Sequence, residues 1–356
     1  MLSCQQQPMQ DNFWTRLYLK KKGIEPIFVL APMADVTDYV FRNLIAQKSE
    51  FGTENSYLDV LWTEFVSVNG LMNETGRKEL IKDFRYDEKY ERPIVAQIFG
   101  DKVLGFEEIG KLCKDLKFDG VDINMGCPDG NVNSQGSGAY MIKVPELAKE
   151  IFLATQRGAG GIPVSVKTRI GYNKIEWQEW LGEILKVKPV CITIHLRTKK
   201  EMSLVPAHWE LSREIVDWIR ENFGTVEKGG PIIILNGDVK DCLDGIEKWK
   251  VSGCDGIMIG RGVFGNPMCF NRNIKKEDLS IKEILLICVE HTKLFEKEIP
   301  FKSFAIMKKH FKAYVNGFPG AKELRLKMME AKDAPEIEKV VKNWLFWHKI
   351  KSIFSW

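Results

Sequence analysis

The chain alternates short apolar runs with amphipathic stretches, and this rhythm constrains its fold more than any other feature. The runs are rich in β-branched residues and end at turn residues, which is the pattern of buried strands. They are Ile27–Met33, Val60–Phe65, Pro93–Gly100, Gly120–Gly126, Pro163–Arg169, Val190–Arg197, Pro231–Asp238 and Gly256–Val263. Stretches with helical patterning lie between most of them, namely Gly105–Leu116, Val144–Arg157, Ile175–Leu185, Ser212–Phe223 and Val239–Lys248. Eight such repeats within roughly 250 residues are typical of a (β/α)8 barrel.

Residues able to do chemistry stand at the ends of all eight runs. They are Met33, Glu64, Gln97, Asn124, Lys167 with Arg169, His195 with Arg197, Asn236 with Asp238, and Gly260 with Arg261. A barrel gathers every strand end at one mouth, whereas a doubly wound open sheet, the alternative, concentrates its site at a switch point. We therefore predict an α/β fold, a (β/α)8 TIM barrel followed by a smaller C-terminal all-helical domain. The expected boundaries are 1–23 for an N-terminal extension, 24–275 for the barrel and 276–356 for the helical domain.

Composition narrows the class of protein. The chain has 356 residues, 44% of them hydrophobic, and can bury a large core. It contains no uncharged apolar run of about 18 residues, the length needed to span a membrane. The N-terminus Met1–Gln7 lacks the basic and apolar regions of a signal peptide. We expect a cytoplasmic protein that makes no membrane contact and is a monomer.

The eight cysteines point to one candidate for a reactive thiol. They are scattered, with no Cys-x-x-Cys pair and no Cys/His cluster, so we expect reduced thiols and no metal site. Most should fill the core. Cys127 differs because it follows the run Gly120–Gly126, precedes Pro128, and is succeeded by the small-residue run Gly136–Ala139. Taken alone, such a cysteine is more often a small buried hydrophobe, but its place at a strand end favours a reactive group.

Seven segments, taken in order, resemble the tRNA-dihydrouridine synthase family. They are Ala31–Asp38 with Phe41 and Arg42, Gln97–Gly100, Asp122–Pro128 with Gly136–Ala139, Val166–Gly171, Ile194–Thr198 with Ala207–Trp209, Asn236–Asp238, and Met258–Gly262 with Asn266 and Pro267. Together they cover nearly the whole chain and are highly specific, although each alone is weak. One departure is Asp35, which stands where glycine is frequent in the family.

The resemblance implies a flavin enzyme that acts on tRNA. Such an enzyme holds FMN in the barrel mouth, reduces it with NADPH or NADH, and saturates the C5–C6 double bond of particular uridines. The residues that the resemblance implies for the isoalloxazine, its polar edge and the ribityl chain are Pro32, Met33, Gln97, Lys167 and His195. Those implied for the phosphate end are Asn236, Gly237, Asp238, Gly260 and Arg261. Cys127 would give a proton to C5 of the uracil, and Asn124 with Arg169 would orient the base.

The chemistry of these residue types agrees with those roles. Backbone amides after the seventh and eighth strands form the usual phosphate site of this barrel, and Arg261 adds a fork of donors. Lys167 could place a cation where negative charge collects on a reduced flavin ring. A thiol with an ordinary pKa of about 8.5 is mostly protonated at neutral pH and can serve as a general acid. Taken singly, Lys167 could instead be an ion-pair partner and His195 a core histidine.

The C-terminal region carries the positive charge of the chain. From residue 275 to 356 it holds 17 Lys plus Arg against 11 Asp plus Glu, whereas the net charge of the whole chain is only +4. Its segment Ile299–Lys322 contains five lysines and five aromatic residues but no acidic residue. Basic residues neutralise phosphates and aromatic residues stack on bases, so the segment predicts a tRNA-binding face. The residues expected to face tRNA are Lys308, Lys309, Lys312 and, by resemblance, Arg325.

Other interpretations of these features remain. The basic segment is also typical of an amphipathic helix whose aromatic residues pack inside, and we expect Phe304 and Phe311 in a core. A flavin barrel that reduces a small molecule, such as an ene-reductase or a dihydroorotate-dehydrogenase-like enzyme, would explain the phosphate site but not the basic region. A tRNA-binding protein without catalysis is a second rival. The long connection Gly70–Glu91 is expected near the barrel mouth.

Overall fold

Eight parallel strands close into a barrel in which each strand pairs with the next and β8 pairs with β1. The computed structural model describes the backbone of residues 11–354 and the side chains of residues 11–347. The strands are β1 Ile27–Leu30, β2 Leu58–Ser67, β3 Ile94–Phe99, β4 Gly120–Met125, β5 Val164–Arg169, β6 Cys191–His195, β7 Ile232–Asn236 and β8 Gly256–Ile259. The predicted (β/α)8 barrel and its eight strands are confirmed. Cys4 and the N-terminal segment Met1–Gln7 lie outside the described residues.

Fourteen α-helices accompany the strands in the described part of the chain. They are α1 Phe13–Lys21, α2 Tyr39–Lys48, α3 Val68–Met72, α4 Glu74–Leu80, α5 Val103–Asp115, α6 Gly130–Ser134, α7 Pro145–Ala159, α8 Trp177–Ile184, α9 Ser212–Phe223, α10 Cys242–Ser252, α11 Ile281–Glu298, α12 Met307–Tyr314, α13 Ala321–Glu330 and α14 Ala334–Phe354. Each of the five predicted barrel helices is present. Helix α10 begins at Cys242 rather than at Val239 because the Asp241 side chain accepts from the Asp244 amide and caps the first turn.

Several strand ends differ from the sequence-based expectation, and β8 ends at Ile259 instead of Val263. β1 ends at Leu30, since Pro32 has no amide to continue the ladder and Met33 lies in the following turn. β6 ends at His195 because the chain turns back there, with the Arg197 amide donating to the His195 carbonyl. β2 continues to Ser67, so Glu64 lies within the strand and not at its end. The barrel mouth is therefore shaped by turns as well as by strand ends.

Helix α1 closes the amino-terminal end of the barrel. Its Phe13 approaches Gly120, where β4 begins, and its Trp14 packs against Trp62 inside the barrel with the ring centroids 5.6 Å apart. Both tryptophans are fully buried, together with the inward-facing residues of several strands. The opposite, carboxyl-terminal end of the barrel is left open for a site.

The helices α11–α14 surround a second apolar core. Phe295, Phe311 and Leu324 are buried in it, and Phe304 packs against it while partly exposed. Phe311 therefore lies in a core as predicted, and Phe304 lies at its edge. Val40 of α2 belongs to the same cluster, so the helical region rests on the barrel through α2. Among the described residues, no helix has both the length and the apolar character needed to cross a membrane.

Candidate active site

A cavity of about 300 Å³ opens at the carboxyl-terminal ends of the barrel strands. Of the residues noted at strand ends, Glu64 does not line this cavity. All thirteen barrel residues to which the family resemblance gives a role do line it, namely Pro32, Met33, Gln97, Asn124, Cys127, Lys167, Arg169, His195, Asn236, Gly237, Asp238, Gly260 and Arg261. They come from seven different strands or the turns that follow them. The barrel thus brings to one place residues that are more than 220 positions apart in the sequence. What each residue does there stays a prediction.

Cys127 lies in a loop that hydrogen bonds hold from both sides. The Asn124 carboxamide oxygen accepts from the amides of Gly126 and Cys127 at 3.1 and 2.9 Å, and Asn133 Nδ2 donates to the Cys127 carbonyl at 2.8 Å. Gly138 has a φ of +64°, and a Cβ atom there would lie 2.9 Å from the Cys127 carbonyl oxygen. A glycine at position 138 therefore lets the run Gly136–Ala139 pass close to the loop of residues 126–129, here called the cysteine loop.

The Cys127 thiol is partly exposed to the cavity and remains protonated. Burial raises its pKa, and although Lys167 and Arg169 act in the opposite direction, they do not reverse the shift. A protonated thiol donates a proton but is a weak nucleophile. The structure therefore favours an acid at this position over a thiolate.

Lys167 places a positive charge in the cavity. Burial, together with the nearby Arg169, lowers its pKa to about 8, so the ammonium form dominates at neutral pH. Within the described residues, its ammonium group makes no ion pair and no hydrogen bond. The interpretation of Lys167 as an ion-pair partner is therefore not supported. An unpaired, desolvated cation is suited to an electron-rich ligand.

A hydrogen-bond chain beneath Lys167 fixes Gln97 and Asn124. Gln97 Nε2 donates to Asp122 at 2.7 Å, and Asn124 Nδ2 donates to Gln97 Oε1 at 3.1 Å. Asp122 is fully buried and also accepts from Ser165 at 2.6 Å. Burial raises the pKa of Asp122 to about 6, despite these hydrogen bonds. Each carboxamide keeps one N–H outside this chain, which it can offer to a ligand in the cavity.

Arg169 is buried and oriented by backbone carbonyls. Its Nε donates to the Gly126 carbonyl at 2.7 Å and its Nη1 to the Thr198 carbonyl at 3.0 Å. Burial lowers its pKa to about 10, so the guanidinium remains charged at neutral pH. The side chain links the cysteine loop to the loop after β6, which includes Met202 and Ser203 in the cavity wall.

His195 is neutral and faces an arginine. Burial, followed by the charges of Arg169, Lys167 and other nearby arginines, lowers its pKa well below the ordinary value. Arg197 Nη1 lies 3.2 Å from His195 Nε2. Because arginine can only donate, Nε2 is the acceptor and the ring proton belongs on Nδ1. The ring is thus a cavity-facing polar group and not a buried core histidine.

The turns after β7 and β8 form the other end of the cavity. Gly237 has a φ of +134°, and a Cβ atom there would lie 2.7 Å from Ala207 Cβ and 3.3 Å from the His195 ring. Within residues 11–354, the amides of Gly237, Asp238, Gly260 and Arg261 donate to no protein acceptor. These four amides, on two turns that line the cavity, are donors available to an anion.

Asp238 holds the arginines of this end in place. Its carboxylate accepts from Arg261 Nη2 at 2.6 Å, from the Ala207 amide at 3.0 Å, and from Arg197. A carboxylate would repel a phosphate, so any contact of Asp238 with a phosphate must come from its backbone amide. The Asn236 side chain donates to the Met258 carbonyl at 2.9 Å and links β7 to β8 just before their turns.

The four basic residues expected to face tRNA lie outside the cavity wall. Lys308 and Lys312 are exposed on α12, and Lys309 is exposed but has its ammonium group 3.7 Å from the Asp35 carboxylate. Arg325 is partly buried and donates to the Val315 carbonyl at 2.9 Å, just after α12. The exposed lysines are available to phosphates, whereas Arg325 also has a structural contact.

Several site residues were not assigned from the sequence. Phe65, Met202 and Ser203 line the cavity, and Trp209 Nε1 donates to the Gly237 carbonyl at 2.7 Å, which supports the turn after β7. Arg197 was noted only as a strand-end residue, although it contacts both His195 and Asp238. The Trp209 and Arg197 contacts depend on the path of the loop after β6, for which the sequence offers no local pattern.

A closed parallel barrel, with a thiol, cations and unpaired amides converging at its carboxyl-terminal mouth, defines a (β/α)8-barrel enzyme. The family model described as dihydrouridine synthase matches residues 29–348. The chain is 38% identical over 336 residues to the "Probable tRNA-dihydrouridine synthase" of Staphylococcus epidermidis, covering 94% of this chain and 96% of that protein. It is 41% identical to "Probable tRNA-dihydrouridine synthase 2" of Bacillus subtilis, covering 92% and 95%. This chain belongs to the dihydrouridine synthase family of oxidoreductases.

Solved structures with a related shape are more distant. Morphinone reductase in complex with tetrahydroNAD is 11% identical, with a TM-score of 0.43, over 68% of this chain and 84% of that chain. A likeness at this level adds nothing to the family assignment, which depends on the family model and on the relatives.

Proposed function

We propose that this protein reduces the C5–C6 double bond of particular uridines in tRNA, with FMN as the cofactor and NADPH or NADH as the reductant. The observation that carries the proposal is the convergence of thirteen family-matched residues on one cavity. The family and the names of its relatives support dihydrouridine formation in tRNA. FMN, the nicotinamide and the role of each residue are proposals.

The cavity suits FMN at both ends. The unpaired amides of Gly237, Asp238, Gly260 and Arg261, with the Arg261 guanidinium, would hold the phosphate, and Asn236 braces their turns. Pro32 and Met33 would flank the ring, while Gln97, His195 and the Lys167 ammonium would contact its polar edge and the ribityl chain. When bound and reduced by the nicotinamide, FMN would supply a hydride to C6 of the uracil.

Cys127 would donate the proton that C5 requires. Its thiol is protonated at neutral pH and partly exposed to the cavity, so it can act without prior activation. The Arg169 guanidinium and the free N–H of Asn124 would contact the uracil carbonyls. Arg169 would also stabilise negative charge on a carbonyl oxygen while the proton is transferred.

The tRNA would contact the barrel mouth and the exposed face of α12. Lys308, Lys309 and Lys312 would neutralise phosphates, and Arg325 would support the end of that helix. Lys309 would exchange its contact with Asp35 for a phosphate, since both are surface ion pairs.

The experiment that tests the proposal measures cofactor and product together. Purified protein is titrated with FMN, and then incubated with FMN, NADPH and unmodified tRNA transcripts, after which dihydrouridine is mapped nucleotide by nucleotide. We expect saturable FMN binding and dihydrouridine at a defined position. FMN reduction by NADPH with no dihydrouridine in any transcript would contradict the proposal and favour the small-molecule reductase.

A further inference from the structure

The turn between β1 and α2 carries Met33 to the cavity wall in a conformation that needs support. Asp35 within it has a φ of +53°, a left-handed conformation that few non-glycine residues adopt, although aspartate tolerates it better than most. The Val36 amide donates to the Met33 carbonyl and the Met33 amide to Thr37 Oγ1. One further bond leaves the turn, because the Asp35 amide donates to Glu64 Oε1 at 2.6 Å.

Glu64 is nearly buried, so its carboxyl group needs a partner that fixes its direction toward the Asp35 amide. Its side chain is 7% exposed within β2, and isolated buried carboxylates are strongly destabilised. Asp38, fully buried in the same region, adds a repulsive neighbour. A donor on the other carboxyl oxygen of Glu64 would therefore hold Oε1 in the direction of the Asp35 amide.

The donor comes from the helical region. Lys302, between α11 and α12, places its Nζ 2.5 Å from Glu64 Oε2 and 3.2 Å from the Asp83 carboxylate, with its side chain only 13% exposed. Although burial opposes protonation of Lys302, the charges of Glu64 and Asp83 raise its pKa. Lys302 therefore differs from the exposed lysines of α12, because its side chain is largely buried against Glu64 of the barrel.

We propose that Lys302 is a positioning residue for the flavin-facing turn, acting from the helical region through Glu64 on the Asp35 amide. The proposal rests on the proposed function, because the turn can position a flavin only if this protein binds one. Lys309, on α12, contacts the carboxylate of the same Asp35. Two lysines of the helical region thus act on one cavity turn, Lys309 by direct contact and Lys302 through Glu64, and this arrangement would couple tRNA docking to the placement of the cofactor.

The test compares the full-length protein with Lys302→Met, and uses Lys342→Met as a matched control. Lys342 is an exposed lysine of the same helical region that pairs within α14. Hydrogen exchange of the Asp35 amide, measured without cofactor, should accelerate by about tenfold or more in Lys302→Met, and the Kd for FMN should rise by about tenfold. Lys342→Met should match wild type in both measurements.

A second pair of variants distinguishes a role of Lys302 in positioning the turn from a role in holding the helical region against the barrel. Glu64→Gln with Lys302→Met removes both charges but keeps an oxygen that can accept from the Asp35 amide, whereas Glu64→Leu with Lys302→Met removes the acceptor as well. We expect the first double variant to regain slow exchange and tight FMN binding, and the second to regain neither. These two variants also decide the matter if Lys302→Met alone does not fold.

Two results would overturn the proposal. The first is wild-type exchange at Asp35 in Lys302→Met, and the second is equal behaviour of the two double variants. If wild type binds no FMN, the proposed function fails, and the exchange measurements still decide whether Lys302 positions the turn.

Discussion

Lys167 carries a charge that the proposed cofactor would contact. Its pKa of about 8 belongs to the free cavity, where burial disfavours the ammonium form. An electron-rich ring edge beside it would stabilise that form and raise the pKa in the complex. When binding raises the pKa of a group, the affinity that the group contributes is fully present at pH values below its pKa in the free protein. That affinity is lost as the pH rises through the pKa of the group in the complex.

The pH profile of FMN binding follows from this shift. We expect a constant Kd below pH 8 and progressively weaker binding as the pH rises above 8. In Lys167→Met the affinity should be lower at pH 7, and this decline should disappear. Fluorescence titration of FMN between pH 6 and 10 measures both profiles. The same decline in both proteins would remove Lys167 as the responsible group.

The backbone around the cysteine loop leaves little room for a side chain at position 138. Gly138→Ala would place a Cβ atom 2.8 Å from Val132 Cγ1 and 2.9 Å from the Cys127 carbonyl, at a φ of +64°. We expect a loss of about 1–3 kcal/mol in stability and a slower reduction of uridine, because the loop must move. Gly130→Ala in α6 is the control, since its Cβ would meet nothing within 4 Å. Thermal unfolding and dihydrouridine yield measure both effects, and equal behaviour of the two variants would contradict this account.

Helix α12 is the element proposed to meet tRNA. Replacing Lys308, Lys309 and Lys312 by Ala should weaken tRNA binding and reduce the slope of log Kd against log salt by about 1 for each phosphate that is no longer neutralised. The control replaces three exposed lysines outside the helical region, Lys78, Lys186 and Lys250. Lys78 and Lys250 each pair with a glutamate of their own helix, and Lys186, just after α8, pairs with Glu183 of that helix. Binding titrations at several salt concentrations distinguish the two triple variants. An unchanged slope after the α12 replacements would move the tRNA footprint elsewhere.

The whole molecule joins a barrel and a helical region through contacts that cross between them. In the connection Gly70–Glu91, Asp83 pairs with Lys302 of the helical region and Arg85 pairs with Glu298. Val40 of α2 packs into the core of the helical region. That connection lies against the helical region and also supplies a partner for Lys302, which the sequence did not indicate. These contacts therefore hold the helical region, which carries the basic face of α12, against the barrel, which contains the cavity.

The architecture could be predicted because it follows from local periodicity, and closure of the barrel brings the ends of the apolar runs together. The roles given to the residues of the cavity wall came from the resemblance to the family, which added Pro32 and Gly237 to the residues noted at the strand ends. Contacts that depend on partners far away in sequence could not be predicted in the same way. In the sequence Lys302 is one more lysine of a basic segment, yet in the structure it is buried against Glu64. Trp14, in the expected N-terminal extension, packs inside the barrel.

The most direct test of the central claim is the rate at which a single turnover forms dihydrouridine in wild type and in Cys127→Ala. Both proteins are loaded with FMN, reduced, and mixed with unmodified tRNA, and Cys254→Ala, a buried cysteine at the opposite end of the barrel, is the control. Loss of the proton donor should slow the reaction by about 100-fold or more while FMN and tRNA binding are retained. An equal rate in Cys127→Ala would contradict the assignment of Cys127 as the acid.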